Sequence, residues 1–190
     1  EVVEAAAFRA IRTASELIDM ASHRGAHPRI GATDVCPFVP LERASMEDCV
    51  VIARPLGRRV GEPLGIPVFL YGAAATRPER KSLADVRKDE YEGLATRTDE
   101  PDFGPTGLNR RSGATAVGAR ESLIAFNINL NTRDRSAANR IAEALRESGR
   151  PLRDERGTII RGADGVALRK PGRFKELQAI GWYVEEYGRA

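Results

Sequence analysis

Apolar side chains recur at Val3, Ala7, Ala10, Ile11, Ala14, Leu17 and Ile18, a one-faced spacing that predicts an amphipathic helix over residues 3–21. Gly25 ends it, and a Gly/Pro-rich loop follows. Thr33 to Val39 is short and apolar and reads as a strand, with Pro37 pointing to an edge or a bulge. Ser45 with Asp48 resembles a capping box and opens a helix to about Glu62, in which Pro55 predicts a kink. Ile66 to Tyr71 is a compact strand between Gly65 and Gly72. Residues 78–95 are charged, with apolar Leu83, Val86, Tyr91 and Leu94, and predict one or two short surface helices. Residues 99–113 hold three Gly and two Pro and predict a long loop, a class of segment that is often functional.

Further on, Ala114 to Gly118 predicts a short strand. Ile124, Phe126, Ile128 and Leu130 alternate on one face and predict a strand over 123–131. Ser136 to Ser148 predicts a helix with Ala138, Ile141, Ala142 and Leu145 inward and Gly149 as its stop. Residues 158–161 and 166–169 flank Ala-Asp-Gly and predict a hairpin, and residues 178–187 predict a final strand. The order implies an α/β or α+β fold, with no internal repeat and a boundary between two units in the loop at 99–113.

Composition narrows the function classes. With 190 residues, 42% hydrophobic and 30% charged, the chain can bury a core and is not disordered. The net charge of +3 is small, the signs are interleaved and aromatics make up 6%, so nucleic acid is not an expected partner. No apolar run approaches the roughly 20 residues of a membrane helix, and the opening residues lack a signal-peptide layout, so a cytoplasmic setting is expected. Cys36 and Cys49 cannot build a disulfide framework, and read as reduced thiols.

Candidate chemistry concentrates in residues 23–38. His23 and His27 stand four apart, yet Gly25 and Pro28 argue against a helix, and only Asp34 is near as a third ligand, so no metal is expected. His27 suits proton transfer: imidazole titrates near neutrality, and the residue lies on a loop between a helix and a strand. Arg29 could clamp a substrate carboxylate or be a solvated charge. Asp34 could orient a histidine, accept a proton from a substrate amine, or cap the strand. The segment Gly104, Pro105, Thr106, Gly107, Leu108, Asn109, Arg110, Arg111, Ser112, Gly113 offers unencumbered backbone N–H groups and two cations to an anionic or heteroaromatic ligand, or is a surface linker. It matches neither the P-loop nor the dinucleotide fingerprint. Cys36, in an apolar strand before Pro37, reads as an inert thiol.

The run HRGAHPRIGATDVCPF at 23–38 resembles the H-x-G-x-H-P-R-x-G-x-x-D-V-C-P-F core of the glutamate formiminotransferase family. The likeness continues through IPVFLYG (66–72), DFGP (102–105), GATAVGAR (113–120), LIAFNINL (123–130) and IGWYVEE (180–186), in the family's order. It implies transfer of the formimino group of N-formimino-L-glutamate to N5 of tetrahydrofolate, in histidine breakdown, with tetrahydrofolate as co-substrate and no metal. It implies that His27 is the catalytic histidine and that Gly104 to Gly113 contacts folate. It implies two ferredoxin-like units with folate between them, and a homodimer. The division expected on that basis is residues 1–100, the folate-contacting loop 101–113, and a second unit 114–190. About sixty family residues, the size of the rest of an α/β unit, have no counterpart before the first helix, so each unit is expected to be incomplete in this chain and the chain to be a fragment. Residues 151–170 look like an insertion. Two alternatives stand beside this: formyl transfer from N-formylglutamate, and a non-catalytic folate-binding module.

Overall fold

The computed structural model describes residues 2–25 and 27–185. The chain divides into two compact units, residues 1–124 and 125–190, described separately below. The first holds helix α1 (Val2–Leu17), strand β1 (Val35–Phe38), helix α2 (Met46–Leu64), strand β2 (Val68–Gly72), a 3-10 turn at Pro78–Arg80, short helices α3 (Leu83–Val86) and α4 (Glu90–Gly93), and strand β3 (Thr115–Ala119). The mixed α/β composition agrees with the expected class.

The three strands form one parallel sheet in the order β1-β3-β2. A ferredoxin-like unit also sets a strand between the two of a split βαβ. Here that middle strand is parallel to both neighbours, because β3 is reached through the long connection carrying α3, α4 and the loop rather than through a hairpin. β3 therefore belongs to the first unit, and the division falls after Ile124 rather than at the expected 113/114.

Both faces of the sheet are covered, which is why β2 reads as a continuous apolar run rather than an alternation. Val68, Leu70 and Val117 pack with Phe8 and Ile11 of α1 and Val50, Ala53, Leu56 and Val60 of α2. On the other face Phe69, Tyr71 and Ala116 pack with Met20, Ile30, Val86, Tyr91 and Leu94. The capping box of α2 forms in full: Asp48 N–H donates to Ser45 Oγ at 3.1 Å, and Ser45 N–H to Asp48 Oδ2 at 2.8 Å. α2 continues through Pro55, which is exposed, as is Val51 one turn before it, so the carbonyl deprived of a partner lies on a solvated stretch.

The segment 78–95 is not merely surface. Arg80 is 1% exposed and donates to Asp102 at 2.6 Å and Asp99 at 3.0 Å, as well as to the carbonyl of Glu100. Asp102 also accepts the Leu70 N–H at 2.8 Å and the Thr76 hydroxyl. Arg80 and Arg97 both lie over the Phe69 ring, at 4.9 and 4.0 Å. These bonds pin the start of the 99–113 loop to β2. Breaking one partner of such a buried pair costs about 3–5 kcal/mol, because the other charge stays behind.

The expected strand at 123–131 is absent. No described segment offers it a ladder, and Ile124, Phe126 and Ile128 are exposed. In the second unit α5 (Arg135–Leu145) is capped by Asp134, which accepts the Ser136 N–H at 2.8 Å. Ala138 and Ala142 are buried as expected, whereas Ile141 is exposed. Residues 178–183 form no strand, and 186 and 187 of that expectation lie outside the described residues. No described helix is long and apolar enough to cross a membrane.

The expected hairpin around 158–169 proves to be part of a repeat. β4 (Arg150–Pro151) and β5 (Arg169–Lys170) pair antiparallel, and bridges join Arg153 to Ile159 and Arg161 to Ala167. Leu152 N–H donates to Leu168 O at 2.8 Å, Leu168 N–H to Ile160 O at 2.9 Å, and Ile160 N–H to Leu152 O at 2.9 Å, which closes a ring of backbone bonds. Each turn has a glycine at positive φ, evenly spaced at Gly149 (57°), Gly157 (80°) and Gly165 (77°). Each of these glycine carbonyls accepts from an arginine: Arg169 at 3.0 Å, Arg153 at 2.6 Å and Arg161 at 2.8 Å respectively. The chain thus has an internal repeat where none was expected. Its period is short, and its likeness is confined to one apolar, one arginine and one glycine position.

Arg161→Ala should remove one of the three side-chain locks. Amide exchange at Leu152, Ile160 and Leu168 should quicken by about 5- to 10-fold, the worth of one hydrogen bond, with β1–β3 unchanged in hydrogen-exchange measurements.

Candidate functional site

The histidine segment and the glycine-rich loop meet through their backbones. Gly31 and Gly113 form an antiparallel bridge, flanked by Ala32 N–H to Ser112 O at 2.9 Å and Ala114 N–H to Ile30 O at 2.8 Å. A Cβ on Gly31 would collide with the Ala114 carbonyl oxygen, and one on Gly113 with that of Ile30. Gly113 also has φ +68°, so both positions require glycine.

His27 is exposed on the segment before this bridge. Its Nδ1 lies 2.9 Å from the carbonyl oxygen of Pro28, which can only accept, so Nδ1–H donates there. His27, Arg29 and Asp34 line one open cleft of about 330 Å³, together with His23, Met20 and Ile18. The structure thus gathers the three expected side chains, and it ties Asp34 and Arg29 to partners far along the chain. Asp34 accepts the Ile30 N–H at 3.0 Å and pairs with Arg87. Arg29 is buried and donates to both oxygens of Glu92, at 2.8 and 2.9 Å, and to Glu90 at 3.3 Å. As a carboxylate clamp, Arg29 would first have to release a carboxylate of its own chain. The Arg29 bonds hold the Glu92 carboxyl down at about 2, and Glu92 in turn raises Arg29.

The expected folate-contacting loop divides into two sets. Asn109, Arg111, Ser112 and Gly113 hold the frame. Asn109 donates to Gly65 O at 2.9 Å and accepts the Ser112 N–H at 2.9 Å. Arg111 donates to the carbonyls of Glu16 at 2.6 Å and Ser15 at 3.2 Å, closing the C-terminal end of α1. Gly104, Pro105, Thr106, Gly107 and Arg110 are exposed, and Leu108 is half-buried. Leu108 and Arg110 line a second cleft of about 490 Å³ with Ala21, Arg24, Tyr91 and Glu92, a wall that mixes apolar, aromatic and cationic side chains with one carboxylate.

Tyr91 and Glu92 were not distinguished as site residues from the sequence, since their segment reads as a charged surface with scattered apolar positions. Among the described residues, no three His, Cys, Asp or Glu side chains converge as a metal site. Burial pushes the Cys36 thiol up, which disfavours the thiolate.

Comparison with known proteins bears on this site. The family model for the N-terminal subdomain of the formiminotransferase domain matches residues 1–120, and that for the formiminotransferase domain matches residues 125–190. The mouse protein named formimidoyltransferase-cyclodeaminase is 48% identical over 190 residues, covering 98% of this chain and 32% of its own length. The glutamate formimidoyltransferase of Streptococcus pyogenes is 48% identical over 151 residues, covering 77% of this chain and 50% of its own. That of Thermoplasma acidophilum is 52% identical over 147 residues, covering 74% and 48%. The chain therefore spans about a third to a half of the length of these curated relatives.

Two measurements test this geometry. Gly113→Ala should cost roughly 2–4 kcal/mol in urea unfolding, through strain at positive φ and the collision with Ile30. The second concerns pH. Folded Glu92 takes up its proton near 2 and the unfolded chain near the ordinary 4.5, so the unfolded state binds more protons between them. The contribution is fully present above that window and lost as pH falls through it. Solvent screening reduces it, because the carboxylate is largely exposed. Glu92→Gln should show a shallower fall in stability over that window in acid titration.

Proposed function

This chain belongs to the formiminotransferase family, and from that premise we propose that its protein moves the formimino group of N-formimino-L-glutamate to N5 of tetrahydrofolate, with His27 as the proton carrier. The observation that carries the reading is the Gly31–Gly113 pairing, which sets the His27 segment and the glycine-rich loop side by side.

Tetrahydrofolate enters as the acceptor. Its flat, partly apolar ring system and anionic tail suit a wall of Leu108, Tyr91, Arg24 and Arg110, in which the one carboxylate, Glu92, is paired with Arg29. N5 attacks the formimino carbon and loses its proton, the bond from that carbon to the glutamate nitrogen breaks, and the departing nitrogen takes up a proton. Nε2 of His27 accepts the first proton and returns the second, so one side chain serves both halves of the exchange. The Pro28 carbonyl supports this by accepting from Nδ1–H, which fixes the aim of the ring. Orienting the two substrates adds a further, larger factor. Arg29 and Asp34, held by Glu92 and Arg87, take no direct substrate role in this reading.

His27→Ala in the complete protein should lower turnover by about 10²- to 10⁴-fold while tetrahydrofolate affinity, measured by calorimetry, stays within about twofold. Unchanged turnover in that variant would remove His27 from the mechanism.

A further inference from the structure

The short helix α4 touches both halves of the proposed site. Tyr91 N–H donates to Arg29 O at 2.8 Å, and Glu92 grips the Arg29 guanidinium with both oxygens. Arg29 is two residues from His27, with Pro28 between them restricting the backbone. The Tyr91 hydroxyl donates to the Arg110 carbonyl at 2.7 Å, inside the glycine-rich loop. The Tyr91 ring is buried, and Arg29 lies 6.0 Å from its centroid. The helix enters through Glu90 at φ +54°, a conformation rare for a side-chain-bearing residue. Arg29 lines the histidine cleft and Glu92 the second cleft, so the ion pair has one member in each wall.

We propose that Glu92 and Tyr91 are positioning residues, Glu92 aiming the His27 segment through Arg29 and Tyr91 setting the height of the glycine-rich loop through Arg110. The proposal rests on the reading of the site given above, with His27 as proton carrier and the loop as the tetrahydrofolate contact. Neither residue touches the reacting atoms. Each acts on a different half of the reaction, so their losses separate kinetically. A histidine aimed poorly slows the chemical step without altering how tetrahydrofolate sits. A loop released from Tyr91 weakens tetrahydrofolate while leaving the saturated rate in place. Misplacement of a reacting group by about 1 Å can cost up to 10²-fold, and loss of one neutral hydrogen bond roughly 2- to 10-fold.

The test uses the complete protein. Glu92→Gln removes the charge and weakens the grip on Arg29 with little change of shape. It should lower kcat by about 10-fold or more without raising the equilibrium Kd for tetrahydrofolate, because the carboxylate it removes lines the second cleft and opposes an anionic ligand. Tyr91→Phe keeps the buried ring and removes only the hydroxyl. It should raise KM and Kd for tetrahydrofolate by about 3- to 10-fold with kcat nearly unchanged. If Glu92→Gln does not fold, Glu92→Asp is read in its place: it keeps the charge, shortens the reach, and should show the same kcat loss in milder form. Variants that lose thermal stability yet keep wild-type kcat, KM and Kd would overturn the proposal, as would equal losses of kcat and affinity in both. A wild-type protein that neither binds tetrahydrofolate nor transfers the group would instead overturn the proposed function. A working wild type with two silent variants overturns the positioning role alone.

Discussion

The backbone pairing of Gly31 with Gly113 is the constraint on which the rest of the first unit depends. It lies just before β1 and β3 begin, so it sets where both strands enter the sheet. Two carbonyls occupy the space that a Cβ would need on either residue. Peptide planes can approach this closely only where no side chain intervenes. The same contact delivers the His27 segment to the glycine-rich loop, so core geometry and site geometry share one origin.

Arginine does the remaining fastening. Irregular segments have no ladder to satisfy their carbonyls, and a planar guanidinium can serve several acceptors at once. Arg80 ties the loop entrance to β2, Arg111 ties its exit to the end of α1, and Arg29 ties the histidine segment to α4. The same device closes each turn of the small repeat in the second unit, through Arg153, Arg161 and Arg169. A chain with thirty basic and twenty-seven acidic residues thus spends much of its charge on internal connections, which is why a net charge of +3 says little about its ligands.

Most helices and strands of the first unit were legible because each is specified locally. The one-faced spacing of α1, the Ser45/Asp48 box of α2 and the apolar run of β2 report structure within a few residues. Expectations failed where a partner decides. The alternation at 123–130 is a sound strand pattern, yet no described segment pairs with it. Residues 78–95 read as charged surface because a buried arginine looks like an exposed one until Asp99 and Asp102 come to meet it. The repeat at 149–170 is faint in the letters, where only a glycine, an apolar residue and an arginine recur, and the positive φ and arginine-to-carbonyl bonds that make those positions equivalent belong to the fold.

Residues 23–38 carried the candidate histidine and, with the blocks at 66–72, 102–105 and 113–120, the family resemblance in the order of their letters alone. That is possible because glycine, proline and histidine each have few chemical substitutes. Tertiary structure then decided which of the candidate site residues are held and which are available. Arg29, Asp34 and Arg111 are held by partners about 60, 50 and 95 residues distant in the chain, while Leu108 and Arg110 line the second cleft. A charged side chain is drawn to whatever opposite charge or carbonyl the fold brings within reach, and that distance is a property of the folded chain rather than of its sequence.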